Sequence, residues 1–244
     1  MTVLFVNDLG GSYRLAGDRC RGELDVTAEM LGVDGAVRPS ILATHADMVA
    51  GALANRASAP RVPLTVDLTV HRLEPIGIGA VTMVGRLLKV GRRTTVAEVL
   101  VMAHAGERPL GLCHATFMPS PNPVDEQPFV GDRDAGRPSL ARPFPEQLGI
   151  SVVAPGVCEI ERVPYTMQPT GTIQGGAVAA LAEVASETAA GAAVADLDVR
   201  YLAAVRVGPA RATAEPLGAG RVRVEVRDRG NADRLAAIVL ARVV

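Results

Sequence analysis

The chain has 244 residues, 48% hydrophobic and 21% charged, with a formal net charge of −1. That length supports a sizeable core, and the composition is that of a folded globular chain. No Lys/Arg block offers a nucleic-acid or membrane-surface footprint, and no apolar run reaches the ~18 to 20 residues that a membrane span needs.

The first residues, "MTVLFVNDLGG", carry no basic leader and too short an apolar run for a signal peptide, so the expected compartment is the cytoplasm. Three cysteines (Cys20, Cys113, Cys158) form no CxxC pair and have no His at ligand spacing. No metal site is expected, and the cysteines read as small hydrophobes in a reducing compartment.

"RCRGELDV" (19–26) reads as a strand, followed by a loop and a small-residue helix in "DGAVRPSILATHAD" (34–47). "DLTVHRLEPIGIG" (67–79) and "GRRTTVAEV" (91–99) read as β-rich runs. Residues 118–147 hold seven of the chain's 17 prolines, so a linker with neither helix nor strand is expected. The same order then recurs: "GVCEIERVPY" (156–165), a Gly-Gly loop and helix in "QPTGTIQGGAVAALAEVASE" (168–187), then "DLDVRYLAAV", "ARATAEPL", "RVRVEVRD" and "RLAAIVLARVV". Val222, Val224 and Val226 alternate with Arg223, Glu225 and Arg227, the period of a half-buried strand.

The recurrence is a duplication. At an offset of 136, Gly35 falls on Gly171, Val37 on Ile173 and Asp47 on Glu183; at 129, "DLTVHRLEPIGIG" overlies "DLDVRYLAAVRVG". One insertion around "LANRASAPRVP" accounts for the change of offset. The expected organisation is a repeat over 1–120, a Pro-rich linker over 121–146 and a second repeat over 147–244. Each repeat would wrap its helix in a curved antiparallel sheet.

A loop with Gly-Gly, a helix with a carboxylate eight residues on, and "GRR" opening a long strand resemble the hotdog-fold acyl-CoA thioesterases of the phenylacetate-pathway type. The resemblance implies an α+β tandem hotdog, a pseudo-dimer within one chain, that hydrolyses an acyl-CoA with no cofactor beyond the CoA of its substrate. It also implies that the glycine at a helix start binds the thioester carbonyl while the carboxylate comes from the other half. Elementary geometry agrees. A carboxylate eight residues into the same helix lies roughly 12 Å along the axis, too far to act on a carbonyl held at its N-terminus. Two antiparallel helices would bring each N-terminus beside the other's middle.

Asp47 with Gly175, Gln174 and Gln168 is therefore the expected catalytic set. Asp47 would be base or nucleophile and the Gly175 N–H the carbonyl donor. The resemblance gives Gln168 a positioning role, and Gln174 stands where many relatives carry His. The reciprocal set, Glu183 with Arg38 and the loop at Gly32, has Pro39 where a donor is needed, and proline has no N–H. That second site is expected to be degenerate, and Glu183 a relic. Gly176 is expected beside the substrate. Arg92 and Arg93, with the matching Arg221, read either as cations for CoA phosphates or as solvated turn charges. A competing reading is a non-catalytic acyl-CoA binder or sensor. A hydratase would want a His before one of the helices, and there is none. The exposed sheet edges or faces leave further pairing into a homo-oligomer open.

Overall fold

The computed structural model describes residues 4–104, 108–121 and 131–244. A short helix, α1 (Phe5–Asp8), leads into β1 (Ser12–Ala16) and β2 (Arg19–Val26), where Cys20, Leu24 and Val26 alternate inward against outward Arg19, Arg21, Glu23 and Asp25. The long helix α2 (Pro39–Ser58) starts on a proline whose missing N–H would be unpaired there anyway. Strands β3 (Pro63–Arg72), β4 (Gly79–Val90), β5 (Thr95–Ala103) and β6 (Pro109–Pro119) follow.

The Pro-rich segment corrects the expectation of neither helix nor strand. Arg133–Asp134 forms β7, paired with β1, and Phe144–Gln147 forms α3; residues 122–130 of the expected linker lie outside the described residues. The second half then runs β8 (Ser151–Ala154), β9 (Val157–Ile160), α4 (Gly175–Ala190), β10 (Val194–Tyr201), β11 (Ala210–Gly218), β12 (Arg221–Asp228) and β13 (Arg234–Val243). Helix α4 stops at Gly191, whose φ of 65° is the left-handed stop that glycine tolerates.

All strand pairings are antiparallel, in the order β7-β1-β2-β4-β5-β6-β3-β10-β13-β12-β11-β9-β8. Either side of the β3–β10 seam the order is mirrored: β1-β2-β4-β5-β6-β3 answers β8-β9-β11-β12-β13-β10. At the seam Asp67 pairs with Arg200 and Leu68 with Val199.

Each half of the sheet packs on its own helix. Val49 of α2 sits over Gly22 and Gly85, where an added Cβ would lie 2.7 Å from its methyls. Those glycines are required by the close approach of helix and sheet. The two long helices run antiparallel against each other. Ser40, at the start of α2, meets Glu183 in the middle of α4, while Gly176, at the start of α4, meets Thr44 in α2. Cys20, Cys113 and Cys158 are free and buried, and burial pushes the Cys113 thiol up to about 12. Among the described residues no helix is long and apolar enough to cross a membrane.

Candidate active site

Helix α2 is buried from Pro39 to Asn55 except at Asp47, Met48 and Gly51, which share one face. That face opens into a cavity of about 440 Å³, whose opposite wall is the loop before α4. Asp47, Gln168, Gln174 and Gly175 all line it, so residues of both halves meet in one space. Phe117, Val178 and Ile173 are among its apolar lining residues, and Leu4 and Val6 of the N-terminal segment also face it. Arg133 holds that segment through Val6 O (3.0 Å) and Asn7 Oδ1 (2.9 Å).

The Asp47 carboxyl is pushed up to about 6 by burial, against the opposing effect of Thr65 Oγ1–H, which donates to Asp47 Oδ1 at 2.8 Å. A carboxyl in that range is poised to accept a proton near neutral pH. Across the cavity, the Tyr201 hydroxyl donates to Gly175 O at 2.9 Å, and the hydroxyl and ring edge lie 3.2–3.5 Å from where a Cβ on Gly175 would sit. Burial first, and the Asp47 charge second, raise the Tyr201 pKa, so this hydroxyl stays neutral.

The start of α4 has one N–H to spare. Gln174 Oε1 accepts from the N–H groups of Gly176 and Ala177 (3.3 Å for the latter), while the Gly175 N–H has no protein acceptor among the described residues. Gln174 thus serves as helix cap. Its amide oxygen is turned to the backbone. Gln168 Nε2 donates to Thr172 Oγ1 at 2.7 Å and so braces the loop.

One expectation needs correcting. Gly176 does not line the cavity; it is buried, and a Cβ there would fall 2.0 Å from Thr44 Oγ1, so it is glycine to let the helices touch. Arg92 and Arg93 are exposed on the β4–β5 turn and do not line the cavity either, whereas Arg206 and Arg133 do. Glu183 has a structural task at the start of α2. Its carboxylate accepts Arg38 Nη1 at 3.2 Å and the Ser40 N–H at 3.0 Å, capping α2 in the region that answers the cavity.

That region is filled with protein. Arg38 also reaches Glu187 at 2.9 Å, and Arg72, which matches Tyr201 in the repeat, donates to Val37 O at 3.0 Å and to Asp34. Arg38 is 8% exposed and Glu183 1%. Burial first, and repulsion from Glu183 second, push the Glu187 carboxyl up to about 7, with Arg38 opposing. The folded value exceeds the ordinary 4.5, so stability from this group is full below pH 4.5 and is lost as the pH rises to 7. Glu187→Gln should therefore reduce the fall in denaturant midpoint across that window. An unchanged slope would assign it to other groups.

Thr65, Tyr201, Gly51 and Glu187 carry roles that the sequence did not reveal. The repeat held the signal: their matches are Val194, Arg72, Glu187 and Gly51, so the halves differ in chemistry at each of these positions.

Residues 39–109 match the thioesterase superfamily.

That stretch runs from the start of α2 to the start of β6 and includes Asp47, Gly51 and Thr65. No protein of curated function matches the sequence. Among solved structures, the chain is similar to a 12:0-ACP thioesterase from Umbellularia californica, at 11% identity and a TM-score of 0.65 over 93% of this chain and 98% of that one. An acyl-ACP thioesterase from Bacteroides thetaiotaomicron aligns at 10% identity and 0.62, over 92% and 97%. A candidate thioesterase II from Thermobifida fusca aligns at 19% and 0.62, over 100% and 99%. At these identities the likeness is one of fold, and the fold is a tandem hotdog.

Proposed function

We propose that the protein is an acyl thioester hydrolase, acting on acyl-CoA in the cytoplasm as the phenylacetate-type resemblance implies, with one working site per chain. The observation that carries this reading is the cavity shared by Asp47 and Gly175: a carboxyl with a pKa of about 6 from one half, and a helix-start N–H without a protein acceptor from the other. The two repeats are then two halves of one enzyme, and the Arg38–Glu183–Glu187 region is its degenerate second site.

In this reading the thioester oxygen accepts from the Gly175 N–H, where the helix terminus favours developing negative charge. Asp47 removes a proton from water as the oxygen bonds to the carbonyl carbon, or attacks that carbon itself to form an anhydride that water then opens. On the water route, collapse breaks the C–S bond and the thiolate leaves while Asp47 keeps the proton taken from water. On the anhydride route, the thiolate leaves as the anhydride forms, and the water that opens it releases Asp47 and the free acid. Tyr201 fixes the Gly175 peptide, and Thr65 orients Asp47.

Thr65 supplies a local check. Thr65→Val removes the hydrogen bond that opposes burial, so the Asp47 pKa should rise and the acid limb of the kcat–pH profile should move to higher pH. An acid limb that stays in place would mean Asp47 is not the group being titrated. The direct test is thiol release from a panel of aliphatic and aromatic acyl-CoAs. Turnover is expected from wild type and from Glu183→Gln. Binding of acyl-CoA with no thiol released would replace the hydrolase by a sensor.

A further inference from the structure

Several glycines in this fold are explained by the protein packed against them. Gly22 and Gly85 make room for Val49, and Gly176 makes room for Thr44. Gly51 is different. It sits inside α2, where glycine is a poor choice, and an added Cβ would meet nothing nearer than Phe117 Cε1 at 4.0 Å. Protein packing does not require it, yet it lines the cavity one helical turn, roughly 6 Å, beyond Asp47. Its match in the second half is Glu187, whose long side chain fills the answering region with an ion pair.

The cavity has two unlike ends. Beyond Asp47 along α2 it is bounded by Gly51, Ala52, Asn55, Val62 and Phe117, apolar but for Asn55. On the side of the loop before α4 it is lined by Gln168, Thr170 and Thr172 beside Met167, Pro169 and Ile173, with Arg206, which is exposed. An acyl thioester of a phosphopantetheine carrier has the same polarity, with a hydrocarbon at one end of the carbonyl and amides and phosphate at the other.

We propose that Gly51 sets the depth of an acyl chamber along α2, so that the preferred substrates are linear acyl groups long enough to pass it. This rests on the hydrolase reading above. A butyryl chain ends before Gly51, and a decanoyl chain runs past it toward Phe117. A side chain at position 51 shortens the chamber, and shutting out two methylenes corresponds to about a tenfold loss.

The test compares wild type, Gly51→Ala and Gly51→Leu by kcat/KM on decanoyl-CoA and butyryl-CoA. Binding of S-decyl- and S-butyl-phosphopantetheine is measured in parallel by calorimetry. The decanoyl-to-butyryl ratio is expected to fall in graded steps, about tenfold or more at leucine. Equal losses on both substrates, or an unchanged ratio, overturn the chamber. The alanine variant, whose Cβ meets only an ordinary contact, keeps that outcome independent of a folding defect at leucine. If wild type releases no thiol but Gly51→Leu selectively weakens the S-decyl analogue, the chamber stands and the hydrolase reading fails. If neither analogue binds wild type, both fail.

Discussion

Asp47→Asn is expected to reduce thiol release by about 10²- to 10⁴-fold, the range lost when a positioned general base is removed, and to make the protein more stable above pH 6. Both effects come from one cause. Burial holds the Asp47 carboxyl near 6, above its ordinary 3.8, so the fold favours the protonated form. Stability from this group is full below pH 3.8 and is lost as the pH rises through 6; at pH 8 the native protein bears a charge it would rather neutralise. Roughly two pKa units set an upper bound near 3 kcal/mol, and partial contact with the cavity reduces it, so about 1–3 kcal/mol is expected from the neutral amide. At about 2–4 °C per kcal/mol for a chain of this size, the change is measurable by thermal melts. The melting-temperature gap between variant and wild type should open from pH 4 to pH 6 and stay level beyond. A gap that is flat with pH would show that Asp47 is not held in its neutral form. Full turnover by the variant would remove it from the chemistry altogether.

The duplication is the most legible feature of the chain, because the same strand and helix patterns recur in the same order. It leads directly to the mirrored sheet, to antiparallel helices and to Asp47 sharing a space with Gly175. What sequence does not supply is the direction in which strand residues face. Thr65 and Tyr201 lie in strands with mixed burial, and only the fold turns them toward the carboxylate and the glycine. The paired glycines are also ambiguous, since Gly175 and Gly176 look alike until packing shows one beside the cavity and the other under Thr44. The opening elements of each half are hard to read because β1 and β8 are short and lack clear alternation. Once the sheet is known, Phe5, Leu9 and Gly10 are seen to match Phe144, Leu148 and Gly149. Arg92 and Arg93 stand out in the sequence by charge alone, and charge in a hairpin turn is solvated unless a wall of the cavity reaches it.

Arg38→Met is expected to destabilise the protein by about 3–5 kcal/mol, the usual consequence of leaving a buried charge without its partner. Arg38 is the one cation bonded to both Glu183 and Glu187 among the described residues, and the two acids are close enough that each raises the other's need for it. The Ser40 N–H on Glu183 softens the loss without replacing the ion pair. Acid should rescue the variant, because protonating Glu187, whose carboxyl is pushed up to about 7, removes its repulsion with Glu183; the denaturant midpoint of Arg38→Met should approach that of wild type as the pH falls toward 4. Combining Arg38→Met with Glu183→Gln and Glu187→Gln should recover most of the stability at pH 7, since a neutral set has no buried charge to compensate. Thiol release per folded molecule should hold in every variant, because Arg38, Glu183 and Glu187 do not line the cavity. If Arg38→Met were as stable as wild type, the cluster would contribute nothing to the fold. If turnover fell with it in proportion, the second site would be working after all. The expected pattern, a large stability loss with turnover intact, would mean that one of two duplicated sites kept its cavity while the other closed it with an ion pair that now holds the helices together.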